Sequence, residues 1–202
     1  VDPMLEVLDL TPDGAGKAAE YFWSDSAGLY HLPIYEKLMV NDGGYMPTVP
    51  YIAQSVVRES PKVAMLTLRS GIQFHDGTPL NAEAIKYMFD WIRKPENAAW
   101  TIGSLADLES VEVAGPMKVR FNLKQPWAAF EGVLSGAVGY VLSQVALQQD
   151  PRRFESTAPK GLGPYTVEEA SPGNHLKLKR NPNWWLAKAL GRPEMPYFDG
   201  IQ

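Results

Sequence analysis

Cysteine is absent from all 202 residues. Its absence excludes disulfides, thiolate metal sites and cysteine nucleophiles, and by itself assigns no compartment. No apolar run is long enough to span a membrane. An excess of positive charge is missing too. The 19 Lys and Arg face 23 Asp and Glu, for a net charge of −4, and the basic residues are scattered with no basic stripe, which argues against nucleic acid as the main partner. Histidine is scarce. His31, His75 and His175 lie far apart, with no partner at i+3 or i+4, so a metal cage built from protein ligands is not expected. Internal repeats and low-complexity tracts are also lacking. The chain opens on Val1-Asp2-Pro3 with neither an initiator Met nor a signal peptide, the expectation for a processed or trimmed polypeptide whose targeting segment has gone.

The composition that remains, 45% hydrophobic and 21% charged, is globular and allows one large domain or two small ones. Seventeen Pro and seventeen Gly imply many turns and short elements. Val63 to Leu68 alternates with period two, as a strand with one face on each side of a sheet does. Asp76-Gly77 is a turn dipeptide, Pro79 ends the strand, and Asn81 with Glu83 marks a capped helix start. Ala84, Ile85, Met88, Phe89 and Ile92 then recur at helical spacing up to about Arg93.

Elsewhere the pattern predicts a helix from about Leu29 to Leu38 and a helix or strand over Tyr51 to Val57. A short helix is expected over Trp100 to Leu108. Hairpins follow at 108–123, around Gly115-Pro116, and at 165–179, around 171–174. Further helical segments are expected after Trp127, over 143–149 and over 181–190. Hairpins interleaved with short helices make an α/β (α+β) fold. His75-Asp76 invites a catalytic reading, yet adjacent strand residues point to opposite faces and no nucleophile sits at workable spacing. The pair reads as part of a turn.

Six segments, in order, resemble landmarks of the family 5 extracytoplasmic solute-binding proteins (peptide/nickel type) that serve ABC transporters. Ile34-Tyr35-Glu36-Lys37-Leu38 is similar to the family's "YEGL" helix, and Val49-Pro50-Tyr51-Ile52-Ala53-Gln54-Ser55 to "P-x-L-A-x-S". Gly71 to Leu80 resembles its most diagnostic turn. Val119 to Leu123 with Pro126 and Trp127 resembles "F-x-L-x-x-P", Gly161 to Tyr165 resembles "GTGPY", and Arg180 to Trp185 resembles "RNPDYW". Lys37 and Leu162 depart from the pattern, and residues 5–28 match none of it.

The resemblance implies a periplasmic-binding-protein-like type II lobe with an extra α+β domain, the second lobe missing beyond the family's crossover point at 197–202. Residues 1–38 and 135–202 would then belong to ligand-binding lobe I, and 39–134 to the accessory domain. It also implies a role: capture of a peptide, oligosaccharide or metal chelate between two lobes, for delivery to an ABC permease. No enzymatic step and no cofactor are expected. The protein would act outside the cytoplasm as a monomer, without nucleic-acid partners. The resemblance places ligand contacts in Ser24 to His31, around Trp100 and in Ser135 to Tyr140, with Ser26, Tyr30, His31, Trp100, Gly139 and Tyr140 as the candidate residues. Tyr30 and Trp100 offer flat apolar faces with a polar handle, His31 could ligate a chelated metal, and the backbone of 136–139 could bond ligand directly. Trp184 and Trp185 read as packing. Two rival readings are a ligand-presenting receptor subunit and a hydrolase using His75 with Asp76 or Glu83.

Overall fold

The computed structural model describes residues 33–41, 48–97, 99–149, 159–171 and 175–202. A two-stranded antiparallel ribbon joins β1 (Met39–Asn41) to β2 (Thr48–Pro50). Next comes a four-stranded antiparallel sheet in the order β3 (Ala53–Ser60), β4 (Val63–Leu68), β6 (Lys118–Leu123), β5 (Leu108–Gly115). A three-stranded sheet, β7 (Tyr165–Ser171), β8 (His175–Arg180) and β9 (Gly200–Ile201), closes the chain. Among the described residues the α-helices are α1 (Ala82–Ile92), α2 (Phe130–Ser135), α3 (Gln144–Gln149) and α4 (Trp185–Ala189). Single 3₁₀ segments occupy Trp100–Leu105 and Ala137–Gly139.

Alternation decides which face of the large sheet is dry. On β4, Ala64, Leu66 and Leu68 are buried, and across the ladder Val119, Phe121 and Leu123 of β6 lie beside them. Helix α1 covers this face with Ile85, Met88, Phe89 and Ile92. Phe89 meets Phe121 edge-on at 5.1 Å, and Phe121 meets Phe130 of α2 at the same distance. Such aromatic contacts add about 1 kcal/mol each beyond their burial.

Local signals set the boundaries of α1 as the sequence predicts. Asn81 is extended, and its side-chain oxygen accepts the Ala84 amide at 2.9 Å. At the other end Arg93 donates to the carbonyls of Leu108 and Glu109, which ties the helix to β5. The bend at 71–80 is also as expected: Gly71 and Gly77 have φ of 78° and 82°, a region costly for residues with a Cβ. On β3, Arg58 reaches α2 through two bonds to Glu131 and one to the Trp127 carbonyl, each 2.7 Å.

Several expectations are corrected. Residues 33–38 are a turn at 33–34 followed by irregular backbone with one bridge at Lys37, rather than a helix. Ile34, Tyr35, Glu36 and Leu38 are all buried and their backbone bonds to 139–141, 163–165 and 51–53, a burial on several sides that one apolar helix stripe cannot supply. Over Tyr51 to Val57, where helix and strand were both open, the strand Ala53–Ser60 is what forms. The helix predicted over 181–190 is only Trp185–Ala189, and within 197–202, read only as a crossover point, Gly200–Ile201 form β9 and pair with β8.

Replacing Asn81 with Ala removes the cap from α1 and is expected to cost about 1 kcal/mol of stability. Urea unfolding followed by circular dichroism will show this as a lower midpoint with an unchanged slope.

Candidate functional site

The candidate site is organised by the buried segment 33–38. On one edge Leu38 N–H donates to the Gly139 carbonyl at 2.9 Å and Val141 N–H to the Glu36 carbonyl at 2.8 Å, with Lys37 bridged to Tyr140. Toward its start, Gly163 N–H donates to the Ile34 carbonyl and Tyr165 N–H to the Pro33 carbonyl, both at 2.9 Å. At its end, the Leu38 carbonyl accepts both Tyr51 and Ala53 amides, and the Lys37 carbonyl accepts Ile52. Three stretches far apart in sequence thus meet on six residues.

Glycine is required at these junctions. A Cβ on Gly139 would sit 1.8 Å from the Leu134 carbonyl oxygen, and one on Gly161 would sit 1.9 Å from that of Ile34. The backbone of Gly139 is already engaged: its N–H donates to Gly136 O at 3.2 Å and its carbonyl accepts Leu38. Tyr140 is 8% exposed, and the Lys37 ammonium lies 4.6 Å from its ring centroid. Lys37 therefore supplies a cation–π contact where the family pattern has glycine. Ser26, Tyr30 and His31 lie outside the described residues. Trp100 is described only by its backbone, which opens the 3₁₀ segment Trp100–Leu105.

Glu36, predicted only as a landmark, proves to be a buried hub. It is 4% exposed. Its Oε1 accepts the Trp184 indole N–H at 2.6 Å and the Tyr51 hydroxyl at 3.0 Å, and its Oε2 accepts the Trp185 indole N–H. Burial pushes the Glu36 carboxyl up to about 7, and the three donors offset only part of that rise. Trp184 and Trp185 pack as expected, but they are also hydrogen-bond donors to one carboxylate. The available signal was a single acidic residue set among Ile34, Tyr35 and Leu38.

His75 is a second tie. Gly161 N–H donates to Nδ1 at 3.3 Å and the ring's Nε2 lies 2.9 Å from the Gly163 carbonyl, while His75 N–H donates to the Gly161 carbonyl at 2.9 Å. A ring that accepts at Nδ1 must carry its proton on Nε2 to donate to Gly163. Burial lowers the His75 pKa, and the bond to Gly163 opposes this only partly. The turn at 74–79 and the loop at 161–163, two separate sequence landmarks, are therefore one joint.

Asp76 faces elsewhere. It accepts the Thr78 amide at 2.9 Å, the Thr78 hydroxyl and the Ser143 hydroxyl at 2.7 Å. Partial burial pushes its carboxyl up, but the bonds from Thr78 and Ser143 outweigh this and leave it below the usual carboxylate range. Ser143 is bonded to Asp76 rather than to His75, so among the described residues His75 holds no serine as the base of a hydrolase triad would. Among the described residues, no three His, Asp or Glu side chains gather as a metal site would require.

Comparison with known proteins gives a consistent set of likenesses. Residues 48–202 match the family described as bacterial extracellular solute-binding proteins, family 5 Middle. The glutathione-binding protein GsiB of Escherichia coli (strain K12) is 30% identical over 134 residues, which is 66% of this chain and 25% of that protein. GsiB of Salmonella typhi is 31% identical over 120 residues, 59% of this chain and 23% of its own length. This chain thus spans about a quarter of the curated relatives it matches. Among solved structures, NikZ from Campylobacter jejuni in complex with Ni(L-His) superposes with a TM-score of 0.68 at 26% identity, covering 77% of this chain and 31% of NikZ. The oligopeptide-binding protein AppA from Bacillus subtilis, in complex with a nonapeptide, shares the fold with a TM-score of 0.71 at 21% identity, covering 80% of this chain and 33% of AppA.

Two titrations of opposite sign follow. A Glu36 pKa near 7 in the folded state, against 4.5 unfolded, means its contribution is intact below pH 4.5 and falls as pH rises to about 7, by about 3 kcal/mol. In Glu36→Gln this pH-dependent loss should vanish, read as the difference in urea unfolding free energy from wild type across that range.

His75 has a lowered folded pKa, so its contribution is intact above the unfolded value of about 6.5 and declines as pH falls below it. His75→Ala should lose about 1–3 kcal/mol at pH 7.5, the cost of orphaning the Gly161 amide and Gly163 carbonyl. It should also lose less at pH 5 than at pH 7.5, by the same unfolding measurement.

Proposed function

Because the chain belongs to the bacterial extracellular solute-binding proteins of family 5, we propose that it forms part of the ligand-capturing component of an ABC importer. In that role it binds a peptide-like or other small polar ligand outside the cytoplasm and hands it to a membrane permease. The observation that carries this reading is the family match over residues 48–202, in a fold whose family-like segments bond to one another. Residues 34–38, 51–53, 74–79, 161–165 and 184–185 form one bonded network. Relatives named for glutathione binding, and the fold shared with proteins holding Ni(L-His) or a nonapeptide, support a peptide-like or other polar cargo.

In this proposal residues 1–38 and 135–202 form part of one ligand-binding lobe, and 39–134 an accessory α+β unit that braces it. Ligand is contacted by Ser26, Tyr30 and His31 from the first stretch, by Trp100, and by Gly139 and Tyr140 at the bridge to Lys37. Given the engaged backbone of Gly139, its part is to bring Tyr140 close to residues 33–38. Capture requires no chemistry at the protein. The ligand is enclosed by closure of two lobes about a hinge and stabilises the closed form through its higher affinity for it.

A thermal-shift panel on the full-length protein tests the reading with glutathione, Ni(L-His) and a nonapeptide as probes. At least one should raise the midpoint, since a ligand bound only by the folded state stabilises it by mass action. Tyr140→Ala should weaken the responding probe by about tenfold, in the range of a buried aromatic contact. A panel in which none of the three shifts the midpoint would overturn the proposal.

A further inference from the structure

The turn at 74–79 is fastened to the later part of the chain by two adjacent residues that reach different partners. His75 closes on the loop 161–163: its Nδ1 accepts the Gly161 amide at 3.3 Å and its Nε2 lies 2.9 Å from the Gly163 carbonyl. Asp76 accepts the Ser143 hydroxyl at 2.7 Å. The same buried hydroxyl oxygen accepts the Ala146 amide at 3.3 Å, in the first turn of α3. One residue therefore holds the glycine loop and the next holds the start of α3.

Acid acts on these two ties differently. A neutral imidazole accepts at one nitrogen and donates at the other, whereas an imidazolium carries N–H on both. A charged His75 would set its Nδ1–H against the Gly161 N–H, donor facing donor. The Gly163 contact survives, because Nε2 donates in either state. Burial lowers the ring's pKa, the Gly163 carbonyl opposes this, Lys160 of the loop adds to it and Asp76 of the turn opposes it. From the other neighbouring elements, Asn181 brings a neutral amide to the Gly163 carbonyl at 3.1 Å, and the Tyr35 ring borders Gly161. Once the joint opens, the ring takes its proton near the ordinary value of about 6.5, so the open form gains on the closed one as pH falls below that. Asp76 keeps its charge over the same interval. Its partial burial pushes the carboxyl up, but the bonds from Thr78 and Ser143 outweigh this and leave it below the usual range.

The loop is also bonded on its far side. Gly163 N–H donates to the Ile34 carbonyl and Tyr165 N–H to the Pro33 carbonyl, and a Cβ on Gly163 would sit 2.6 Å from the Pro33 carbonyl oxygen. Freed from the turn, the loop keeps only this second anchorage, so local opening of 161–163 becomes easier than opening of the surrounding core.

We propose that His75 is an acid-released latch: its protonation frees the loop 161–163 from the turn at 74–79 and leaves the Asp76–Ser143 tie closed. The device requires none of the candidate ligand contacts, so it stands whether or not the capture role does.

Hydrogen exchange of the full-length protein, read by mass spectrometry at pH 5 and pH 7.5 and corrected for the intrinsic effect of pH on exchange, tests the latch. Peptides covering 160–165 should lose protection by about tenfold at pH 5, within the limit set by linkage, while those covering 143–149 keep theirs. His75→Gln, which offers an acceptor and a donor without titrating, should abolish the difference at 160–165. The Glu36 titration has the opposite sign and persists in this variant, so it cannot imitate the result. Should His75→Gln fail to fold, ¹⁵N resonances of the wild-type ring carry the test: proton on Nε2 at pH 7.5, and a midpoint shared with the Gly161 amide signal. Unchanged protection of 160–165 in wild type, equal loss over 143–149, the same pH response in folded His75→Gln, or separate ring and amide midpoints would overturn the proposal.

Discussion

The structure depends on one short segment, 33–38, whose backbone is bonded to three separate parts of the chain. Residues 139–141 occupy one edge, 163–165 its beginning and 51–53 its end. A buried segment cannot leave peptide groups unpaired without a cost of about 1–3 kcal/mol each, so this many internal bonds determine where every neighbour must lie. The glycines at 139 and 161 follow from the same constraint, since any side chain there would overlap a carbonyl oxygen.

Glu36 converts this backbone junction into a side-chain one. A carboxylate buried among apolar residues is costly unless donors surround it, and Tyr51, Trp184 and Trp185 provide three. That requirement pulls α4, near the end of the described chain, onto the segment at its beginning. It also holds Trp185, which lines a cleft together with Arg69 and Lys188. His75 plays a parallel part on the opposite flank. Its neutral ring accepts from one glycine and donates to another, and so closes the turn at 74–79 onto the loop at 161–163.

Elements whose signals are local were legible in the sequence. The cap at Asn81, the positive-φ turn at Gly77 and the alternation of β4 each rest on residues within a few positions of one another. The hairpins at 108–123 and 165–180 were equally plain, because their turns and strands adjoin. The stretch 33–38 was misread as helix. Ile34, Tyr35 and Leu38 have a spacing that suits a helix face, and only the backbone bonds from 139–141, 163–165 and 51–53 hold the stretch out of one. The brevity of α4 and the pairing of β9 were likewise hidden, since each depends on a neighbour distant in sequence.

The sequence by itself determined the α+β class, the local turns and caps, and the ordered set of landmarks that marks the family. Those are properties of residue type and spacing, governed by backbone preference and short-range capping. Only the tertiary structure decided what the landmarks do for one another: that Glu36 holds two tryptophans, that His75 clamps a glycine loop, and that Arg69 and Lys188 share a cleft. Burial and hydrogen-bond satisfaction are set by which distant segments meet, and a sequence records the residues that meet without recording the meeting.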